Sequence, residues 1–184
     1  MKEESHSKDA VLPGVRSRVA PLSLMLGVIV LDQITKALVV ARIEMYTVGT
    51  EYLDGLVRII HTRNPAVAFS IGHGIPEPWR SILVTTVPAL VLAAVLLYYW
   101  RGTDLTTSQR WMLAGVLGGG FGNLIDRFIR PQGVVDFIDV EFFGIFGLER
   151  WPTFNVADAS VVVCGLLFVA SVIRVEHQRS KRNS

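Results

Sequence analysis

The chain has 184 residues, 51% of them hydrophobic, and its mean hydropathy of +0.43 is too high for an ordinary soluble domain. Its length allows one domain, and its formal net charge of +2 gives no reason to expect a nucleic-acid partner. The single cysteine, Cys164, excludes an internal disulfide. These features favour an all-α integral membrane protein.

Four apolar stretches are long enough, at about 1.5 Å per residue, to cross a hydrocarbon core of about 30 Å. Lysines and arginines lie outside the first and the last stretch, which places both termini in the cytoplasm. Residues 1–19 are expected to be a disordered cytoplasmic tail, and residues 175–184 a basic one. The predicted membrane domain covers residues 20–174, with transmembrane helices at 20–40, 81–100, 111–129 and 154–173.

Two longer connections lie on the outer side of these predicted helices. In residues 42–79, GLVRIIHTR at 55–63 is rich in β-branched residues, which predicts a small sheet element. In residues 130–153, VVDFIDVEFF alternates with a period of two, so Asp136 falls on the apolar face and Asp139 on the other.

The third predicted helix is rich in glycine. Gly115 and Gly119 are four residues apart, as are Gly118 and Gly122. Glycines at this spacing let a neighbouring membrane helix approach closely. The pattern therefore predicts tight helix packing and does not by itself indicate chemistry.

Polar residues interrupt three of the four apolar stretches at one depth. Because successive helices run in opposite directions, the end of the first and third helices and the start of the fourth share one side of the membrane. A charge in the middle of a span costs about 2.5 to 3.5 kcal/mol, so such residues usually face the protein interior and mark function. The residues in this layer are Asp32, Lys36, Asn123, Asp126, Arg127, Asn155 and Asp158.

Part of this layer has a structural interpretation. Asp32 and Lys36 have i, i+4 spacing with the acid first, the favourable order for an ion pair that makes both charges tolerable in lipid. Asn123, Asp126 and Arg127 fit a hydrogen-bonded network near a helix end, in which the arginine can hold a carboxylate with two parallel bonds.

Asp136 and Asp158 differ because neither has an adjacent base in the sequence. Two carboxylates brought together share one proton, so that one acts as an acid and the other as a base toward water, as in peptide hydrolysis. The alternative is that Asp136 is a surface loop acid and Asp158 an acid stabilised by the dipole of a helix N-terminus.

Other chemistries have less support. His61 and His73 lack the spacing of a zinc site, and no nucleotide-binding glycine motif is present. A small transporter or proton relay would need polar residues across the full membrane thickness, whereas the inner halves of the predicted helices carry almost none. A scaffold protein would leave the clustered carboxylates unexplained.

Five segments of the chain, in this order around four apolar stretches, resemble the bacterial lipoprotein signal peptidase family, also called signal peptidase II. The resemblance covers about residues 20–174. The matching segments are LDQITK at 31–36, TRNPAVAFS at 62–70, GNLIDR at 122–127, GVVDFIDV at 133–140 and FNVADAS at 154–160.

The resemblance implies that Asp136 and Asp158 are the catalytic pair of an aspartic-type endopeptidase that needs no metal or other cofactor. The family removes the signal peptide from diacylglyceryl-modified prolipoproteins, just before the lipid-bearing cysteine, and is inhibited by globomycin. The family's other polar motif positions, which shape the site and hold substrate, match Asp32, Lys36, Asn64, Asn123, Asp126, Arg127 and Asn155.

The implied fold has four transmembrane helices, with a small β-cradle and a periplasmic helix built from the two outer connections. It places the protein in the bacterial inner membrane, in contact with lipid, with the active site toward the outer leaflet. We expect it to act as a monomer, without nucleic acid.

The sequence departs from the family pattern in two places. Pro65, Ala66 and Val67 follow Asn64 where the family has a glycine, and losing that glycine changes which backbone torsions are easy. Ala159 stands where the family often has serine.

Overall fold

The computed structural model describes residues 15–65, 76 and 78–183. Within these residues the chain forms helices and a small sheet, in the order helix, helix, two strands, two helices, two strands, helix. The helices are α1 Val15–Val19, α2 Leu22–Arg42, α3 Trp79–Arg101, α4 Thr107–Ile129 and α5 Val156–Asn183. The strands are β1 Val48–Tyr52, β2 Val57–Asn64, β3 Val134–Ile145 and β4 Leu148–Arg150.

Three helices in the described residues are long and apolar enough to cross a membrane. Their candidate spans are Ser17–Arg42, Ile82–Arg101 and Val156–Lys181, with mean hydropathies of 1.9, 2.2 and 2.4. Most side chains in these segments lie on the outside of the bundle, as lipid contact requires. The protein is therefore a mostly helical, multi-pass membrane protein.

Helix α4 lies at the centre of the bundle, packed against α2, α3 and α5. A side chain on Gly119 would overlap the carbonyl oxygen of Ala157 in α5, and a Cβ on Gly118 would lie 2.9 Å from the carbonyl oxygen of Met25 in α2. The predicted close approach at these glycines is thus present. Because its neighbours cover it, α4 can carry polar residues that a lipid-facing helix could not.

The sheet is antiparallel, in the order β1-β2-β3-β4. It supplies the strands predicted in both outer connections. In the register of β2 and β3, Thr62 lies opposite Asp136 and Asn64 opposite Val134. An apolar cluster joins the sheet to the ends of α2 and α5, and so fixes β3 beside the bundle. Its members are Val39, Ile43, Ile59, Val135, Phe137, Ile138 and Val156.

Several boundaries differ from the sequence prediction. Residues 15–19 are helical and not a disordered tail, because α1 packs on α4 and the carbonyl of Arg18 accepts a hydrogen bond from the Tyr99 hydroxyl. Helix α5 continues to Asn183, through most of the predicted C-terminal tail. The rest of the N-terminal tail, 1–14, and most of the departure after Asn64 lie outside the described residues, as does His73.

Candidate active site

The start of α5 fixes Asn155 and Asp158 through a reciprocal pair of hydrogen bonds. The Asn155 side-chain oxygen accepts from the backbone N–H of Asp158 at 2.9 Å, and Asp158 Oδ2 accepts from the backbone N–H of Asn155 at 3.2 Å. The first N–H groups of a helix have no acceptor within the helix, and this capping arrangement satisfies them. Because Asn155 and Asp158 are three residues apart, these two hydrogen bonds form and fix the direction of the Asp158 carboxylate.

Asp136, on β3, lies next to Asn155 at the start of α5. It is 3% exposed, and each of its oxygens accepts from an amide. Asn64 Nδ2, at the end of β2, donates to Oδ2 at 3.2 Å, and Asn155 Nδ2 donates to Oδ1 at 2.7 Å. Asn155 thus contacts both aspartates, one through its side chain and the other through its backbone.

Asn123, on α4, ties Asp158 to the rest of the polar layer. Its Nδ2 donates to Asp158 Oδ1 at 2.7 Å. Its Oδ1 accepts from Asn155 Nδ2 at 3.1 Å and from Lys36 Nζ at 2.8 Å. The two aspartates are therefore held by a shared set of amides in which each donor has a fixed direction.

Burial raises the pKa of Asp136 from 3.8 to about 7, and the nearby charge of Asp158 adds to this effect. The amides of Asn64 and Asn155, and the charge of Lys36, act in the opposite direction. A carboxyl group with this pKa keeps its proton at a pH below neutrality, which suits a general acid.

A second group of buried side chains, Asp32, Lys36 and Asp126, lies next to the amide of Asn123. Lys36 Nζ is 2.9 Å from Asp32 Oδ2, so the predicted i, i+4 ion pair forms, and it is also 3.1 Å from Asp126 Oδ2. All three side chains are fully buried. Asp126 further contacts Arg130, and Gln33 donates to both carboxylates.

The contact between Arg127 and a carboxylate differs from the prediction. Arg127 Nη1 donates to the backbone carbonyl of Asn123 at 3.3 Å, and it is Arg130, together with Lys36, that pairs with Asp126. The sequence reasoning did not assign Gln33 or Arg130 to the site. The i, i+4 spacing of Asp126 and Arg130 is the signal that could have found the arginine.

Other polar residues of the sheet form contacts with partners other than Asp136 and Asp158. Asp139, also buried, accepts from Arg58 at 2.7 Å and from Arg150 at 2.7 Å, which joins β2, β3 and β4. His61 contacts the carbonyl of Ile43 and accepts from Arg63. No three His, Cys, Asp or Glu side chains in the described part of the chain are grouped as metal ligands.

A cavity of about 60 Å³ lies beside Asn64, where α3 begins and α4 ends. Three arginines line it, and none of its lining residues is acidic. Carbonyl oxygens suit such a lining, because guanidinium groups only donate hydrogen bonds. The lining residues are Asn64, Pro65, Arg80, Val84, Thr85, Arg127, Arg130, Pro131 and Gly133.

These features define a multi-pass helical membrane protein with a buried polar site where one end of the bundle meets a small sheet. Two solved structures, each described as a bacterial membrane enzyme, share this fold with a TM-score of 0.70. One is 24% identical and matches 83% of this chain and 92% of its own; the other is 23% identical, with 84% and 88% matched.

Sequence comparison gives the family. The model of signal peptidase II matches residues 24–174. A lipoprotein signal peptidase of Treponema pallidum is 48% identical over 85% of this chain and 84% of its own length. Those of Treponema denticola and Borrelia turicatae are 51% and 44% identical, over 79% and 84% of this chain and 84% and 90% of their own. The chain therefore belongs to the signal peptidase II family.

Proposed function

We propose that this protein is a membrane aspartic endopeptidase that removes the signal peptide from diacylglyceryl-modified prolipoproteins, just before the lipidated cysteine. The family and the names of the relatives support the substrate class. The observation that carries the mechanism is Asn155, which bonds to both the buried Asp136 and the partly buried Asp158 and so holds two carboxyl groups at one place.

In the proposed reaction Asp136 carries the single proton of the pair and Asp158 is the base. Asp158 takes a proton from a water molecule, whose oxygen adds to the carbonyl carbon of the scissile bond. As the carbon–nitrogen bond breaks, Asp136 gives its proton to the leaving nitrogen. The products are the acid of the signal peptide and the amine of the cysteine, and the proton left on Asp158 returns to Asp136.

The cavity beside Asn64 is the proposed place for the substrate backbone. Its arginines, Arg127 among them, would donate to peptide carbonyl oxygens, while the lipid chains of the substrate stay in the bilayer. Anchoring the lipid fixes the scissile bond near the acids and reduces the entropic part of the barrier. Globomycin would compete for the same space.

We also propose that α4 is a fourth transmembrane helix, shielded by α2, α3 and α5, so that residues 20–174 form the membrane peptidase domain. Four crossings place both termini on one side of the membrane, and the basic residues near them make that side the cytoplasm, so that the sheet forms a cradle over the outer leaflet of the inner membrane. The protein would act as a monomer, since the proposed site is built from one chain.

The test is cleavage of a synthetic diacylglyceryl prolipoprotein peptide by the purified protein in detergent. Asp136→Asn and Asp158→Asn should each reduce the rate by about 10²-fold or more, as expected for a lost general acid or base. Asp139→Asn is the matched control, because Asp139 is an equally buried acid of β3 that pairs with arginines. It should keep most of the activity per folded molecule.

Near-normal rates in either variant of the pair would assign that residue a structural role. A wild-type protein that binds the peptide without cleaving it would remove the enzymatic proposal altogether.

A further inference from the structure

Two buried acids outside the proposed catalytic pair hold the backbone next to that pair. Asp32 Oδ1, on α2, accepts from the backbone N–H of Ala157 at 3.0 Å. Asp126 Oδ2, on α4, accepts from the backbone N–H of Val135 at 3.0 Å. Ala157 immediately precedes Asp158, and Val135 immediately precedes Asp136.

The same two acids are joined to each other. Lys36 Nζ lies between them, 2.9 Å from Asp32 and 3.1 Å from Asp126. Gln33 Nε2 donates to Asp32 at 3.1 Å and to Asp126 at 2.9 Å. One continuous set of contacts therefore runs from the backbone of α5, through α2 and α4, to the backbone of β3.

We propose that Asp32, Gln33, Lys36 and Asp126 are positioning residues that set the separation and orientation of Asp136 and Asp158 by holding the N–H group before each of them. This inference rests on the proposed function. It gives these residues a backbone role in assembling the pair, distinct from contact with substrate.

The composition of this group is difficult to explain by stability alone. Well-packed apolar residues of similar volume often replace a buried ion cluster at no cost in stability. An apolar side chain could not accept the N–H groups of Ala157 and Val135, and a misplacement of about 1 Å at a reacting group can cost about 10²-fold in rate. Charged acceptors satisfy both N–H groups and fix their distance through Lys36.

The first experiment compares Asp32→Leu, Asp126→Leu and Gln33→Met with wild type in the peptide cleavage assay, with rates expressed per folded enzyme. Loss of positioning should lower kcat by about 10-fold to 10²-fold while KM stays within about threefold. Arg110→Met is the control. Arg110 is also fully buried, but it donates to the carbonyls of Tyr99 and Gly102 at the other end of α4.

Arg110→Met should lower thermal stability and leave kcat per folded molecule unchanged. Unchanged kcat in the Asp32 and Asp126 variants would overturn the proposal, as would a raised KM with normal kcat, which indicates substrate binding. These results would leave the proposed function intact, whereas an inactive wild type would remove it.

Backbone amide exchange gives a readout that does not depend on catalysis. Asp126→Leu should speed exchange of the Val135 amide at least tenfold more than that of Ala157, and Asp32→Leu should do the reverse. Equal loss of protection at both amides would indicate general loosening of the bundle and contradict specific positioning.

The pH profile supplies a third readout. The charged groups near Asp136 are Lys36 from α2, Arg127 from α4 and Asp158 from α5. Lys36→Met removes a positive charge that favours the ionised form of Asp136, so the loss of activity at high pH should move to higher pH. An unmoved profile would show that Lys36 does not act on the pair.

Discussion

Asn155 has two separate tasks at the residue scale. Its side-chain oxygen and backbone N–H complete the capping pair with Asp158, and its side-chain nitrogen donates to Asp136. The capping task needs only an acceptor, which serine also provides. The contact with Asp136 needs a donor about as far from the backbone as an amide. Substitutions can therefore separate the contribution of Asn155 to helix stability from its contribution to the site.

We expect Asn155→Ser to keep the helix cap and to lose activity by about 10²-fold, because its side chain no longer donates to Asp136, Asn123 and the carbonyl of Val135. Asn155→Ala should lose similar activity and, in addition, about 1 kcal/mol of unfolding free energy. Thermal unfolding and peptide cleavage measure the two effects. Full activity in the serine variant would show that the contact with Asp136 has no catalytic role.

The raised pKa of Asp136 predicts a pH dependence. If Asp136 is the acid, activity requires its proton and should fall as pH rises through about 7. The folded-state pKa lies above the unfolded value of 3.8, so the contribution of this group to stability is present below that value and is lost as pH rises through about 7. A rate that stays level between pH 6 and 9 would contradict the assignment.

At the scale of elements, the position of Asp158 depends on how closely α4 and α5 approach. Gly119 is a point of contact next to Asp158, because any side chain there would overlap the backbone of Ala157 and lie close to Val161. Ala157 precedes Asp158 in the first turn of α5. The glycine pattern of α4 thus has a consequence for chemistry that was not visible from the pattern itself.

Gly119→Ala should push α5 away from α4, at a cost of about 1 to 3 kcal/mol in stability, and reduce activity because Asp158 moves with the helix. Gly27→Ala is the matched control, since Gly27 lies in α2 with open space around its Cβ position. It should be neutral or stabilise the helix by up to about 1 kcal/mol. Equal behaviour of the two variants, measured by thermal unfolding and cleavage, would argue against close packing at Gly119.

At the scale of the whole molecule, the helical bundle and the sheet contribute different parts of the site and its surroundings. The bundle exposes apolar side chains along α2, α3 and α5 and keeps Asp32, Lys36 and Asp126 between the helices. The sheet covers the end of the bundle where Asp32, Asn123 and Asp158 meet, and supplies Asp136 and Asn64. In the proposed orientation this arrangement would place the site where lipid meets water, as a substrate with a lipid anchor and a peptide segment would require.

The proposed orientation predicts which ends of the molecule face the outside of the cell. In a Cys164→Ala background, Gly147→Cys in the exposed hairpin of β3 and β4 should react with an impermeant maleimide added to spheroplasts. Gln178→Cys, exposed near the end of α5, should react only after lysis. The reverse pattern would place the sheet in the cytoplasm, and labelling of both from outside would exclude the single crossing by α5 that the proposal puts between them.

Much of this protein could be predicted from the sequence because the lipid bilayer restricts the length and the polarity of the segments that can cross it. Its thickness fixes the length of an apolar helix, and the cost of a charge in lipid makes residues such as Asp32 and Lys36 conspicuous. Local spacing was also sufficient where both partners lie on one helix, as in the Asp32–Lys36 pair, or at a helix start, as with Asn155 and Asp158. These features depend on neighbours in the chain.

Only the tertiary structure decided which polar groups from different elements meet. Arg130, not Arg127, pairs with Asp126, and Asp139 pairs with Arg58 and Arg150. The sequence was equally silent on the hydrogen bonds that Asp32 and Asp126 accept from the backbone N–H groups beside the proposed catalytic pair. Sequence determined the position of each polar residue along its helix or strand, whereas helix rotation and strand register, which depend on packing along the whole of α4 and β3, determined its partner.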